Sequence, residues 1–193
     1  MLISNEKILL HVHIKPRFSP RFFLFFILLN WLTACSVIDV QKGSSFSSSG
    51  RWMILPFQNY SQTPRAGEQV EEMLATLFRI RGISNIEMYQ QQDEDKSGLL
   101  EFDDRKRQEK ALLFALKDKV SYAVTGSVDE WQYKLGVGSE PAVGLTIRVI
   151  EISSGKVVWS ARGARSGWST GSLSGTAQKL LGELISSVEI TES

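Results

Sequence analysis

Histidine and cysteine are nearly absent from this chain. Its 193 residues include two histidines, His11 and His13, and a single cysteine, Cys35. One cysteine makes no internal disulfide, so stability must come from a packed core. Beyond Cys35 there is no histidine and no second thiol. That excludes Ser-His-Asp and Cys-His catalysis, His-ligated zinc and the commonest general base at neutral pH. Nucleotide-binding motifs are missing too. Gly155-Lys156 lacks the preceding glycine of a P-loop, and Gly136-x-Gly138 is followed by Pro141 where a third glycine is wanted. An excess of charge of one sign is also lacking, with 22 basic against 21 acidic residues.

What is present begins with a long positive prefix. Residues 1–21 carry Lys7, Lys15, Arg17 and Arg21 against one acid, Glu6. Residues 22–32 (FFLFFILLNWL) are a greasy run, short for a membrane-spanning helix and interrupted by Asn30. Leu32-Thr33-Ala34-Cys35 closes it and reads as a bacterial lipobox. The expectation is a signal peptide, 1–34, that is removed. Cys35 then becomes an N-terminus carrying S-diacylglycerol and an N-acyl chain, and no other cofactor is expected. Ser36 follows where Asp, the usual retention signal, is absent, which by bacterial sorting rules resembles an outer-membrane lipoprotein facing the periplasm. Without the prefix, 18 basic residues face 20 acidic ones. There is no basic excess to hold nucleic acid.

Residues 35–50 are Ser-rich and small, and read as a lipidated flexible tether with a reach of roughly 20 Å. The domain proper is then 51–193, long enough to bury roughly two-thirds of its surface. Residues 51–57 (RWMILPF) read as a first strand, ended by Pro56. Residues 66–81 place Val70, Met73, Leu74, Leu77 and Phe78 on one helical stripe, with Glu68, Glu71, Glu72 and Arg79 elsewhere around it. Gly82 stops that helix, and 85–89 is a short strand. A second helix over 103–119 turns Gln108, Ala111, Leu112, Ala115 and Leu116 inward. Three strands follow, at 122–133, around 143–149 and at 157–165, with a turn at Ser153-Ser154-Gly155. Ser172 caps a last helix whose stripe runs through Leu173, Ala177, Leu180, Leu181, Leu184, Ile185 and Val188. The expected fold is one α/β domain, a mixed β-sheet with packed helices, in the order β-α-β-α-β-β-β-α.

Three stretches look familiar together: RWMILPFQNYSQTPRAGE (51–68), YAVTGSVDEWQYK (122–134) and GKVVWSARGARSGWSTGSLSGTAQ (155–178). With the lipobox they resemble the PelC family, the outer-membrane lipoproteins of the Pel exopolysaccharide secretion system. The prefix is longer than in that family and the acidic loop differs in detail. The strand-turn-strand ending in Val157-Val158-Trp159-Ser160 also resembles lipoproteins related to curli secretion and to penicillin-binding-protein activation. The PelC resemblance implies a non-catalytic part, a homo-oligomer ring, dodecameric by expectation, held under the outer membrane. It implies a β-barrel exporter, PelB, as partner and a cationic, partly deacetylated amino-sugar polymer as cargo for the biofilm matrix. The alternative is an outer-membrane lipoprotein activator of a periplasmic envelope enzyme such as a peptidoglycan synthase.

Candidate site residues follow. Trp168 lies in a Gly/Ser-rich loop and reads as an anchor at the lipid headgroup level, with Arg162 and Arg165 meeting lipid phosphates. The resemblance supports this, and the other reading is that Trp168 folds back on its own domain or fills a subunit contact. Asp93, Glu94, Asp95, Glu101, Asp103 and Asp104, joined by Asp129 and Glu130, read either as solvated acids or as electrostatic guidance of a cationic polymer. Positions 93–104 also echo a calcium loop, with Gly98 at the sharp turn, but the last ligand is Asp104 rather than a bidentate Glu, and no metal site is assigned. Trp131, Tyr133, Trp159 and Trp52 are read as core or as a sugar-stacking platform. A two-carboxylate glycosidase is the one enzyme class that composition leaves open.

Overall fold

The computed structural model describes residues 36–41, 45–90, 104–135 and 138–191. In chain order the elements are β1 (Ser36–Val40), β2 (Ser45–Ser47), β3 (Trp52–Ile54), β4 (Gln58–Asn59), α1 (Ala66–Ile80), β5 (Ile86–Met88), α2 (Asp104–Lys117), β6 (Tyr122–Lys134), β7 (Glu140–Glu151), β8 (Lys156–Ser166), α3 (Leu173–Leu184), a 3₁₀ turn at Ile185–Ser187 and β9 (Glu189–Thr191). The expected elements recur in the expected order, with short strands added at both ends and after β3.

Strand β3 is buried on both faces, so its residues alternate between two cores. Trp52 and Ile54 face one core, which α1 and α3 cover with Val70, Leu74, Phe78, Leu180, Leu181 and Leu184. Met53 and Leu55 face the other, smaller core, closed by Ala111 and Ala115 of α2 with Val120, Ala123 and Ile152. The sheet order is β1-β8-β7-β6-β3-β5, with β4 also on β6. β3 runs parallel to β5 and β6, while β6, β7, β8 and β1 are antiparallel neighbours. This is the mixed sheet expected of the sequence.

Local chemistry sets the helix ends. Gly82 takes φ 95°, and Ile83 N–H donates to Phe78 O at 3.1 Å, closing α1 with a left-handed residue that glycine adopts without strain. Ser172 has extended backbone, and its Oγ accepts from Gly175 N–H at 3.0 Å, the expected cap of α3.

Four expectations are corrected. Residues 36–50 are not a tether throughout. β1 lies antiparallel on β8, from Ser36 opposite Arg165 to Val40 opposite Ala161. Val37, Ile38 and Val40 have the stiff β-branched side chains that suit a sheet, and Ile38 and Val40 pack on the larger core. β2 pairs in parallel with β9, and Phe46 is buried edge-on against Trp52 and Tyr122. Serine content hid these strands. The first strand is also shorter than 51–57: β3 ends at Ile54, and the chain re-enters the sheet as β4 beyond Pro56. Leu116, expected inward, is 50% exposed, because α2 reaches the sheet through its small Ala111 and Ala115 and presents a narrow buried face.

The last correction is Glu71, expected on the solvent side and only 7% exposed. It shares a face of α1 with Gly67, Leu74 and Ala75. Its Oε1 accepts from Phe57 N–H at 2.8 Å, latching the segment after β3 to the helix. Burial pushes the Glu71 carboxyl up to about 7, and the repulsion of Glu68 and Asp104 adds to this. The Phe57 amide and Arg107 pull the other way.

Two outcomes follow. Phe46→Ala should lower unfolding free energy by about 3–5 kcal/mol in urea titration, the usual cost of emptying a buried phenylalanine site. A tether residue at position 46 would cost nothing. For Glu71 the folded carboxyl holds its proton to higher pH than the unfolded one. The Glu71 contribution to stability is therefore fully present at low pH and is lost as pH rises from about 4.5 through about 7. Glu71→Gln keeps an acceptor for Phe57 N–H without the charge. It should raise stability above pH 7 by on the order of 3 kcal/mol and make little difference below about pH 4.5, read as melting temperature against pH.

Candidate functional site

Register decides which residues share an end of the sheet. Ser36 lies opposite Arg165, Ala142 opposite Ser166, and Lys134 opposite Glu140. The start of β1, the end of β8 and the β6–β7 hairpin therefore meet at one end, here termed the loop end. The segment 167–172 is built onto it. Gly167 N–H donates to Pro141 O at 2.8 Å, and Gly171 N–H to Trp168 O at 2.7 Å. A Cβ at Gly167 would lie 2.8 Å from both Pro141 Cγ and Thr176 Oγ1, so glycine permits this close seat. Tyr133 Oη accepts from Leu173 N–H at 3.4 Å.

Trp168 projects from this loop, 59% exposed. It does not fold back into the core of its own domain. The two arginines read with it are placed differently. Arg165 is half-buried in an ion pair with Glu183 of α3. Arg162 lies further along β8 with its Nη2 3.4 Å from Asp129 Oδ2. Both guanidinium groups are thus engaged by carboxylates, Arg165 at the loop end and Arg162 with most of its side chain exposed.

Asp129 and Glu130 sit at a β-bulge, where pairing steps from Val128–Leu145 to Glu130–Gly144. Alternation from Ser127 sets Asp129 on the sheet face that α2 leaves open, and the bulge turns Glu130 to that same face and returns Trp131 to the larger core. Asp129 Oδ1 accepts from Ser127 Oγ at 2.8 Å and its Oδ2 from Thr146 Oγ1 at 3.1 Å. Glu130 Oε1 accepts from Gln132 Nε2 at 2.9 Å and lies 3.2 Å from Lys134 Nζ. Together with Val37, Asp39, Gly144 and Arg162 these acids line a shallow concavity of about 380 Å³. Three carboxylates there face the Arg162 guanidinium and, through Glu130, the Lys134 ammonium, so the hollow keeps a net negative charge and favours cations. Asp39 was missed in the sequence because its segment read as a tether. The alternation Val37-Ile38-Asp39-Val40 was the signal that could have found it.

The remaining acids, Asp93, Glu94, Asp95, Glu101 and Asp103, lie outside the described residues, as does the calcium-loop echo they belong to. Cys35 and the 1–34 prefix lie outside them too. Asp104 is described: its Oδ2 accepts from Asn59 N–H at 3.1 Å and its Oδ1 lies 3.2 Å from Arg107 Nη1, binding α2 to β4. The sugar-stacking platform is overturned by burial. Trp52, Trp131 and Trp159 are core residues, and Tyr133 alone of the four is exposed.

No protein-family model matches the chain, and no match was found among curated protein sequences. Solved structures do match. The PelC dodecamer from Paraburkholderia phytofirmans, in space group P6, is 30% identical with a TM-score of 0.68, over 82% of this chain and 100% of that one. A leucine-to-methionine variant of the same dodecamer, in space group C2, is 30% identical with a TM-score of 0.69, over 81% of this chain and 100% of that one. With the whole length of those matched chains spanned at 30% identity, the chain belongs to the PelC family.

Proposed function

We propose that this protein is a non-catalytic, lipid-anchored subunit of an exopolysaccharide export assembly, facing the periplasm from the outer membrane. Identical copies form a ring beside a β-barrel exporter, PelB, and the ring helps a cationic Pel-type polymer pass outward. The relatives that support this reading are themselves dodecamers. Cys35 carries the acyl chains and Trp168 rests at the headgroup level.

The observation that carries the proposal is the start of β1. Cys35 immediately precedes Ser36, and Ser36 lies opposite Arg165, three residues before Trp168. An acylated Cys35 would therefore emerge at the same end of the sheet as the exposed tryptophan, with almost no slack between lipid and fold. Two or more acyl chains anchor stably, at about 0.8 kcal/mol per buried CH₂. The sheet face carrying Asp39, Asp129 and Glu130 then supplies the guidance. Each copy adds its net negative hollow, and a ring multiplies the field along a path for a cationic polymer. The acids of 93–103 add to it on this reading.

Native mass spectrometry of the detergent-extracted protein should give a single closed oligomer of acylated chains; monomers only would overturn the ring. Trp168→Ala should leave that oligomer intact while polymer secretion falls. Loss of the oligomer would instead assign Trp168 to a subunit contact. Binding of deacetylated amino-sugar oligomers should weaken steeply with added salt, and further in Asp129→Asn, by calorimetry. Equal binding of a neutral sugar would sink the guidance role.

A further inference from the structure

Leu135 follows β6 directly and is 95% exposed, the most exposed of the large apolar side chains among the described residues. Leaving such a side chain in water forgoes about 1.5–3 kcal/mol of burial. Its position is not random. Lys134 beside it lies opposite Glu140, so Leu135 stands at the tip of the β6–β7 hairpin, at the loop end. That hairpin and the Trp168 loop are joined. Tyr133 Oη accepts from Leu173 N–H, and Gly167 N–H donates to Pro141 O at the hairpin's other strand. A Cβ on Gly138 would come within 2.6 Å of Ser169 Cβ, so the two segments touch where glycine leaves room. Leu135 and Trp168 thus rise from one braced rim rather than from two independent loops.

The side chains around them grade from apolar to polar. Tyr133 is partly exposed with its hydroxyl turned to the Leu173 amide, and Lys134 extends its ammonium to Glu130 at 3.2 Å. A leucine and a tryptophan outermost, with a tyrosine and a lysine just behind, is the order of side chains at a lipid interface. Ser36, the sequence neighbour of Cys35, lies at this same rim. Ile80, also strongly exposed, lies at the opposite end of the domain, where α1 finishes, and Leu113 is exposed on α2.

We infer that Leu135, at the end of β6, is a second membrane-inserting side chain, entering the acyl boundary of a phospholipid surface beside Trp168. The inference rests on the anchor reading above and adds to it. The rim is already braced, so its insertion requires little further ordering of the chain. With the acyl chains of Cys35 and Trp168, Leu135 would make a third point at one end and so fix the tilt of each copy against the bilayer.

The test uses the full-length acylated protein in vesicles of phosphatidylethanolamine and phosphatidylglycerol. An acylated Cys35 has no free thiol, so an environment-sensitive dye reacts only with a cysteine introduced by Leu135→Cys, Trp168→Cys or Ile80→Cys. Dye at position 135 should shift its emission to the blue and lose intensity to lipids spin-labelled in the acyl chain, as should dye at 168. Dye at 80 should do neither. Quenching at 168 without quenching at 135 overturns the inference and leaves the anchor reading standing. A blue shift at 135 without lipid quenching overturns it in favour of a protein contact. Quenching at neither site, or dye found on Cys35 by mass spectrometry, overturns the anchor reading and this inference with it.

Discussion

Antiparallel hydrogen bonding through β6, β7, β8 and β1 is the constraint on which the arrangement depends. A ladder's register admits no gradual adjustment, since a one-residue slip would turn every side chain to the opposite face. Here the register is pinned by the apolar residues of alternate positions, Val143, Leu145, Ile147 and Val149, which must meet α1 and α3. Once those are seated, the rest follows. Gly144, Thr146 and Asp129 are turned to the open face, the β6 bulge brings Glu130 beside them, and the hairpin and the Trp168 loop are delivered to one end. Membrane contact and polymer guidance, as proposed, are thus two outputs of one pattern of alternation.

The charges on the open face are organised by pairing rather than by number. Asp129 is held by two hydroxyls as well as by Arg162, and Glu130 by Gln132 and Lys134. Exposed ion pairs of this kind contribute little to stability, roughly 0–1 kcal/mol each. Their stronger effect is positional, because they hold carboxylates in place on an otherwise small-residue surface. A cationic polymer meeting this hollow encounters fixed acceptors, and Arg162 is the group it would have to displace from Asp129.

The helices were largely legible in the sequence, because a 3.6-residue period survives in the stripes of α1 and α3 and the stop at Gly82 and the start at Ser172 are chemical. The long strands were legible from alternation around Leu145. Other features were not, for physical reasons. β1 and β2 are short edge elements whose serines suggest solvent, and only tertiary pairing with β8 and β9 makes them strands. Glu71 reads as a surface acid by type, yet its helical neighbours Gly67 and Ala75 are small enough to let α1 approach closely and enclose it. The exposed tryptophan was legible by contrast: Trp168 is flanked by glycine and serine in a loop, whereas Trp159 occupies an inward position of β8.

The pairing of β1 with β8 also has a mechanical side. A load applied at residue 36 along the strand axis, as from an anchor held in a moving bilayer, does not peel β1 away one bond at a time. It is shared in shear by all five register pairs from Ser36–Arg165 to Val40–Ala161 at once. The edge strand acts as a lap joint, passing tension from the anchor into the middle of the sheet rather than to a single weak contact.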